Sequence, residues 1–203
     1  LAEDRNGNLW LGMQNGGAIK LVRSGITAFT EGDGFKWTNA IFKDRAGDLF
    51  VKVSTILGKS ELINRYDGER FAGIQLRLAK GVSYGWGTNQ VALEDRAGEW
   101  WVATTKGIYR FPKVKSFEQL ARVSPKAIYT MREGLAGNTI HTLFEDRRGD
   151  IWISTVGEGY GLSRWERATE TFHHYAEKDG LPSFAAFHPI SFCEDKAGGV
   201  WIG

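Results

Sequence analysis

The sequence predicts an all-β protein, a β-propeller built from four-stranded antiparallel blades. Three observations lead there. One ten-residue string occurs five times along the chain. Its period of roughly 40–50 residues is that of a solenoid or a propeller. Between the copies lie short apolar, β-branched or aromatic runs broken by Gly, Asp and Asn, with none of the i, i+3, i+4, i+7 spacing a helical repeat would show.

The string, called here the box, reads EDRNGNLWLG at 3–12, KDRAGDLFVK at 43–52, EDRAGEWWVA at 94–103, EDRRGDIWIS at 145–154 and EDKAGGVWIG at 194–203. Its pattern is acid-Asp-basic-x-Gly-x-x-aromatic, with Lys43 in the acid's place and Phe50 in the tryptophan's in the second copy. Composition agrees with repeated tight turns between aromatic strands. The 203 residues include 26 Gly and 8 Trp but only 4 Pro.

The elements follow in order. Unit one shows its third and fourth strands at 18–22 and 26–30, and unit two at 61–66 and 69–72. Unit three shows 107–111 and 127–130, separated by a divergent stretch in which KSFEQLARV at 115–123 suits a short inserted helix. Unit four is the most complete, with strands expected at 138–145, 151–155, 161–165 and 170–175. Three whole blades are expected near 37–72, 88–130 and 138–176. The leading part is expected to lack its inner strand and the trailing part its outer ones. The whole of 1–203 thus reads as a partial propeller of about four repeats from a longer chain, since propellers have 4–8 blades. Closure into four blades is the second alternative.

Within each box, Asp4, Asp44, Asp95, Asp146 and Asp195 are expected to cap a turn by accepting backbone N–H bonds. Gly7, Gly47, Gly98, Gly149 and Gly198 are expected to supply its left-handed residue. A calcium loop is a poor fit, because the Asn6 position carries Ala or Arg in the other copies and loses its side-chain ligand. Trp10, Phe50, Trp101, Trp152 and Trp201 share one position and are expected to fill the wedge between blades.

The box, followed by GGAIK at 16–20 or GLSR at 161–164 and preceded by GDGF at 32–35, REGLAGNTI at 132–140 and KDGLPS at 178–183, resembles the two-component regulator propeller repeat. The resemblance implies seven-bladed propellers in the periplasmic sensor of bacterial histidine kinases, often hybrid ones. It therefore implies a non-catalytic, ligand-sensing segment in the periplasm or another extracytoplasmic space, with the remaining blades and downstream signalling domains as partners. No kinase motif lies within these residues. The alternatives are a propeller-fold lyase or hydrolase, or a protein-interaction propeller.

Other classes are excluded or left without support. The formal net charge of +2 leaves no basic arm or acidic tail, and the basic residues are scattered, so nucleic acid is not an expected partner. The single cysteine, Cys193, forms neither an internal disulfide nor a Cys-based zinc site. No run approaches the ~20 apolar residues of a membrane span, and no signal peptide opens the sequence. Of the four histidines, His173 and His174 are adjacent and point to opposite faces of a strand, so no metal site is expected, and no cofactor.

The binding face is expected from topology. Box turns lie at one end of each blade, and the segments before the inner strands lie at the other. These segments vary between units. They carry Trp37, Asn39, Tyr84, Trp86, Asn89, Asn138, Phe184, Phe187 and His188, with Tyr160 beside them in the loop between the second and third strands of unit four. Aromatic plates with amide edges suit an oligosaccharide or a peptide.

Overall fold

The computed structural model describes residues 1–203 apart from 14–16, 23, 34, 36, 55–60, 86, 88–89, 158–159 and 183–190. The described residues form five antiparallel sheets and three short 3-10 helices. The first sheet holds β1 (Ala2–Glu3), β2 (Leu9–Met13), β3 (Gly17–Val22) and β4 (Gly25–Phe29). The second holds β5 (Trp37–Lys43), β6 (Leu49–Ser54), β7 (Glu61–Tyr66) and β8 (Phe71–Ile74). The third holds β9 (Ala92–Glu94), β10 (Trp100–Thr104), β11 (Gly107–Phe111) and β12 (Ala127–Tyr129). The fourth holds β13 (Ile140–Glu145), β14 (Ile151–Thr155), β15 (Gly161–Glu166) and β16 (Thr171–Tyr175). The last has two strands, β17 (Phe192–Glu194) and β18 (Val200–Ile202). In every sheet the spatial order is the sequence order, the simple meander of a propeller blade.

Several strand bounds shift by one or two residues, the inner strand of the fourth blade starting at Ile140 rather than 138, and two differences have a clear form. The first blade has a two-residue inner strand, Ala2 pairing with Trp10 and Glu3 with Leu9, where none was expected. The fourth strand of the second blade starts at Phe71 because Asp67 holds 67–70 as a turn. Its backbone N–H donates to the Arg70 carbonyl, and its Oδ1 accepts from the N–H groups of Glu69 and Arg70.

The chain divides into two compact units, Leu1–Arg77 with Ser116–Arg122, and Leu78–Lys115 with Val123–Gly203. In the first, Trp10 is fully buried against Phe29 of its own blade and against Tyr66 and Phe71 of the next, at 5.4, 4.8 and 5.7 Å. The 3-10 helix Phe117–Ala121, where the inserted helix was expected, lays Phe117 on Phe50 at 4.9 Å and pairs Glu118 with Arg65 at 2.8 Å. In the second unit, Trp101 stacks on Tyr129 of its own blade and meets Trp165 of the next at 4.8 Å. Burying aromatics of this size, each covering roughly 150–250 Å², stabilises the blades.

Candidate functional site: the two ends of the blades

Each box builds the same turn. The Asp backbone N–H donates to the carbonyl four residues on, and the box glycine N–H donates back to the Asp carbonyl, in all five copies. The five glycines have φ between 75° and 91°, the left-handed region the turn requires. The Asp carboxylate is divided between two tasks. Asp146 Oδ1 accepts from the N–H groups of Arg148 and Asp150, and its Oδ2 accepts the indole N–H of Trp152 at 3.0 Å. Asp4 with Trp10, Asp95 with Trp101 and Asp195 with Trp201 repeat this bond at 2.9, 3.0 and 2.8 Å.

Two further repeated contacts complete that end. In the four blades with a third strand, the residue on it across from the box aromatic is basic: Lys20, Arg65, Arg110 and Arg164. Three of them lie over the tryptophan they face, Lys20 at 5.4 Å, Arg110 at 5.0 Å and Arg164 at 5.7 Å. The box arginine reaches forward to the next box. Arg96 binds Glu145 and the Asp146 carbonyl, and Arg147 binds Glu194 together with the carbonyls of Asp195 and Lys196. Where the acid is replaced by Lys43, Arg5 turns to Asp48 at 3.1 Å and to the Ala46 carbonyl.

These contacts set the electrostatics. For Asp95 and Asp146, burial alone would raise the pKa, but the indole N–H, the turn N–H groups and, for Asp95, the Arg167 guanidinium hold it below the ordinary carboxylate value. Burial likewise opposes the charge on Arg110, but Tyr129, Glu170 and Glu99 outweigh it and hold the guanidinium firmly protonated. None of these groups is poised to exchange a proton near neutrality. Ser163 and His174 stand 3.2 Å apart, but Ser163 is fully buried and accepts the Ala136 N–H, so it is no accessible nucleophile. His141 is buried with Nδ1 2.9 Å from Thr142 Oγ1, and His173 Nε2 lies 3.6 Å from Glu166. Among the described residues no three His, Cys, Asp or Glu side chains converge as a metal site requires.

The opposite end carries the candidate binding residues. Asn138 is exposed, and its side-chain oxygen accepts the Met131 N–H at 2.9 Å. Tyr160 and Met131 are exposed at 43% and 53%. Asn39 is half-buried on β5. Tyr84 is only 3% exposed, and its backbone bridges to Thr104. Trp37 opens β5. Trp86, Asn89 and His188 lie outside the described residues, as do Phe184 and Phe187.

Part of this end is itself a repeated scaffold. Asp33, Glu133 and Asp179 each accept the backbone N–H three residues earlier, from Thr30, Thr130 and Ala176. Phe35 and Leu135, which follow the GDGF and REGL glycines, are buried at 2% and 3%.

Comparison with known proteins adds the following. The family model for the two component regulator propeller matches residues 134–157. No curated protein matched. Two solved structures of one extracellular domain from B. thetaiotaomicron, described as a one component system and as a hybrid two component system, match with TM-scores of 0.74 at 21% and 22% identity. They cover all of this chain but only 28% of theirs. A second such domain from that organism, described as a hybrid two component system, matches at 0.69 and 19% identity, over 100% of this chain and 26% of its own. PorZ, a surface component of the type-IX secretion system of Porphyromonas gingivalis, matches at 0.66 and 17% identity, over 99% of this chain and 30% of its own. The chain thus spans little more than a quarter of these structures, and the likeness establishes its propeller fold. The chain is thus a propeller segment by fold, and its residues 134–157 match the two component regulator propeller repeat.

Proposed function

We propose that this chain is the ligand-sensing part of an extracytoplasmic two-component sensor, and that ligand meets the loop end of the blades rather than the box end. The observation that carries this reading is the different use of polar groups at the two ends. Box carboxylates are spent on their own turns and indoles, copy after copy. At the loop end the residues around the repeated Asp or Glu turns differ from blade to blade and include exposed Asn138 and Tyr160. A scaffold needs one geometry in every blade, whereas an asymmetric ligand needs different chemistry from each. The related extracellular domains support the location, and a sensor with further blades and a kinase downstream supplies the remaining partners.

The test is a screen of oligosaccharides and peptides against the parent sensor, followed by variants. Tyr160→Ala and Trp86→Ala should weaken binding at least fivefold with little change in melting temperature. Arg147→Ala, at the box end, should leave affinity unchanged. Binding lost in Arg147→Ala but kept in both loop variants would place the ligand at the wrong end for this reading.

A further inference from the structure

The turn after the third strand of blade four carries a cation into the box end. Arg167 donates its Nε–H to the Gly149 carbonyl at 2.8 Å and an Nη2–H to Asp95 Oδ2 at 2.7 Å. Its backbone N–H donates to Asp150 at 3.1 Å, and the guanidinium lies over Trp165 at 5.4 Å. Counted three residues past the basic partner of each box aromatic, the same position holds Arg23, Gly68, Lys113 and Arg167. Lys113 lies against its own box glycine, with its stem 3.0 Å from where a Cβ on Gly98 would sit. Only blade two has no side chain there.

In blade two that place is open. A cleft of about 150 Å³ is lined by Asp4, Asp48, Asp67, Tyr66 and Gly47, with Arg5 at its side. The register makes these the counterparts of Asp95, Asp150, Glu166, Trp165, Gly149 and Arg96. The cleft therefore presents most of the groups that hold Arg167 in blade four: the carboxylate that takes its guanidinium, the box-glycine backbone, the carboxylate that takes its backbone N–H and an aromatic plate; the further carboxylate, Glu145 at 3.5 Å, has Lys43 as its counterpart. Arg5 does not fill it, being committed to Asp48 and the Ala46 carbonyl as Arg96 is to its own neighbours. Arg65 touches Asp48 at 3.5 Å but is held by Glu118 at 2.8 Å. Asn8 donates its amide to Asp4 Oδ2 at 3.0 Å, which supplies a hydrogen bond but no charge. Three lining carboxylates thus stand against the lining Arg5, with Arg65 beside Asp48 and Lys20 over the Tyr66 ring at 5.1 Å.

We infer that this cleft binds a guanidinium group from another molecule, either free arginine or an arginine side chain of a protein. The internal precedent fixes the chemistry: the equivalent groups already bind a guanidinium through directional hydrogen bonds to a carboxylate and a carbonyl, above an aromatic ring. This site is at the opposite end of the blade from the proposed sensing loops and does not depend on them.

The experiment titrates the chain, followed by backbone amide NMR shifts, with N-acetyl-arginine amide, its neutral isostere N-acetyl-citrulline amide, and free arginine. The arginine amide should move the amides of Gly47, Tyr66 and Gly68, and the citrulline amide should bind at least tenfold more weakly. Asp67→Asn and Asp48→Asn should each weaken the arginine amide at least fivefold. Asn can hold the same turn at 67, so that variant stays informative if Asp48→Asn unfolds. Glu166→Gln, in the filled cleft, should change nothing. Free arginine binding as tightly as the amide identifies a small-molecule ligand; binding tenfold more weakly identifies a side chain of a protein. Equal affinity for arginine and citrulline amides, or full affinity in a folded Asp67→Asn variant, overturns the proposal.

Discussion

At the scale of single residues, the box works as a clasp. A carboxylate six residues before a tryptophan takes the turn's N–H groups on one oxygen and the indole N–H on the other. The capping role of Asp and the left-handed glycine were legible from the repeated Asp-basic-x-Gly pattern. The indole bond was not, because a capping argument considers only backbone donors. Its signal was nonetheless present, since Asp and Trp stand at the same separation in four of five boxes and the one Phe simply lacks the donor.

Arg110 is the extreme case of the basic cross-strand partner. It is 4% exposed, lies between Trp101 and Trp165 at 5.0 and 4.6 Å, and is 2.6 Å from Glu99. Arg110→Ala would leave the Glu99 carboxylate, at 14% side-chain exposure, with Lys126 as its remaining cation. It should cost about 3–5 kcal/mol in urea denaturation, the range for breaking a buried pair. A cost under 1 kcal/mol would show that the two indoles alone hold the wedge.

At the scale of elements, the strand pattern, the insertion after β11 and the order of each blade were readable from alternating apolar runs and Gly punctuation. What was less readable is how loops fold back. Tyr84 looked like an exposed plate in a variable loop, yet it is buried, with its backbone bridged to Thr104. The segment before the inner strand looked variable, yet Asp33, Glu133 and Asp179 build one recurring turn within it. Trp86, Asn89 and His188 fall outside the described residues, so their placement remains an expectation.

Close approach between strands explains the glycines that open the third strands. A Cβ on Gly107 would lie 2.2 Å from the Tyr129 carbonyl oxygen, and its φ is 108°. Gly107→Ala should therefore destabilise the chain by about 1–3 kcal/mol from backbone strain alone, before the clash is counted. Gly25→Ala, with open space around it, should cost no more than about 1 kcal/mol. Paired thermal melts of the two variants check this, and equal costs would mean that the close approach is not held in solution.

At the scale of the whole molecule, the outermost blades present apolar side chains to solvent. Leu9 and Leu11 on β2 are 45% and 38% exposed, and Trp201 on β18 is 64% exposed, although their counterparts Leu49, Val51, Trp101 and Trp152 are buried. The isolated chain should self-associate through these faces, and Trp201→Ser should reduce association in sedimentation velocity. A compact monomer at high concentration would show that they are covered within one chain.

Acid should act on four of the boxes together. Asp4, Asp95, Asp146, Asp195 and Glu99 all have folded pKa values below the ordinary ones. A depressed carboxylate contributes stability that is present above its unfolded pKa and is lost as pH falls through the folded one. The melting temperature should accordingly hold steady at neutral pH and fall below about pH 4. Asp146→Asn should flatten that fall, and an unchanged acid slope in this variant would assign the loss to other groups.

The account rests on each box Asp being committed first to its own turn and indole. A double-mutant cycle on Asp146→Ala and Trp152→Phe, read by urea denaturation, measures that commitment directly. The clasp predicts a coupling of about 1.5–3 kcal/mol, the worth of a hydrogen bond to a charged group. A coupling near zero, with the two single costs simply adding, would contradict it.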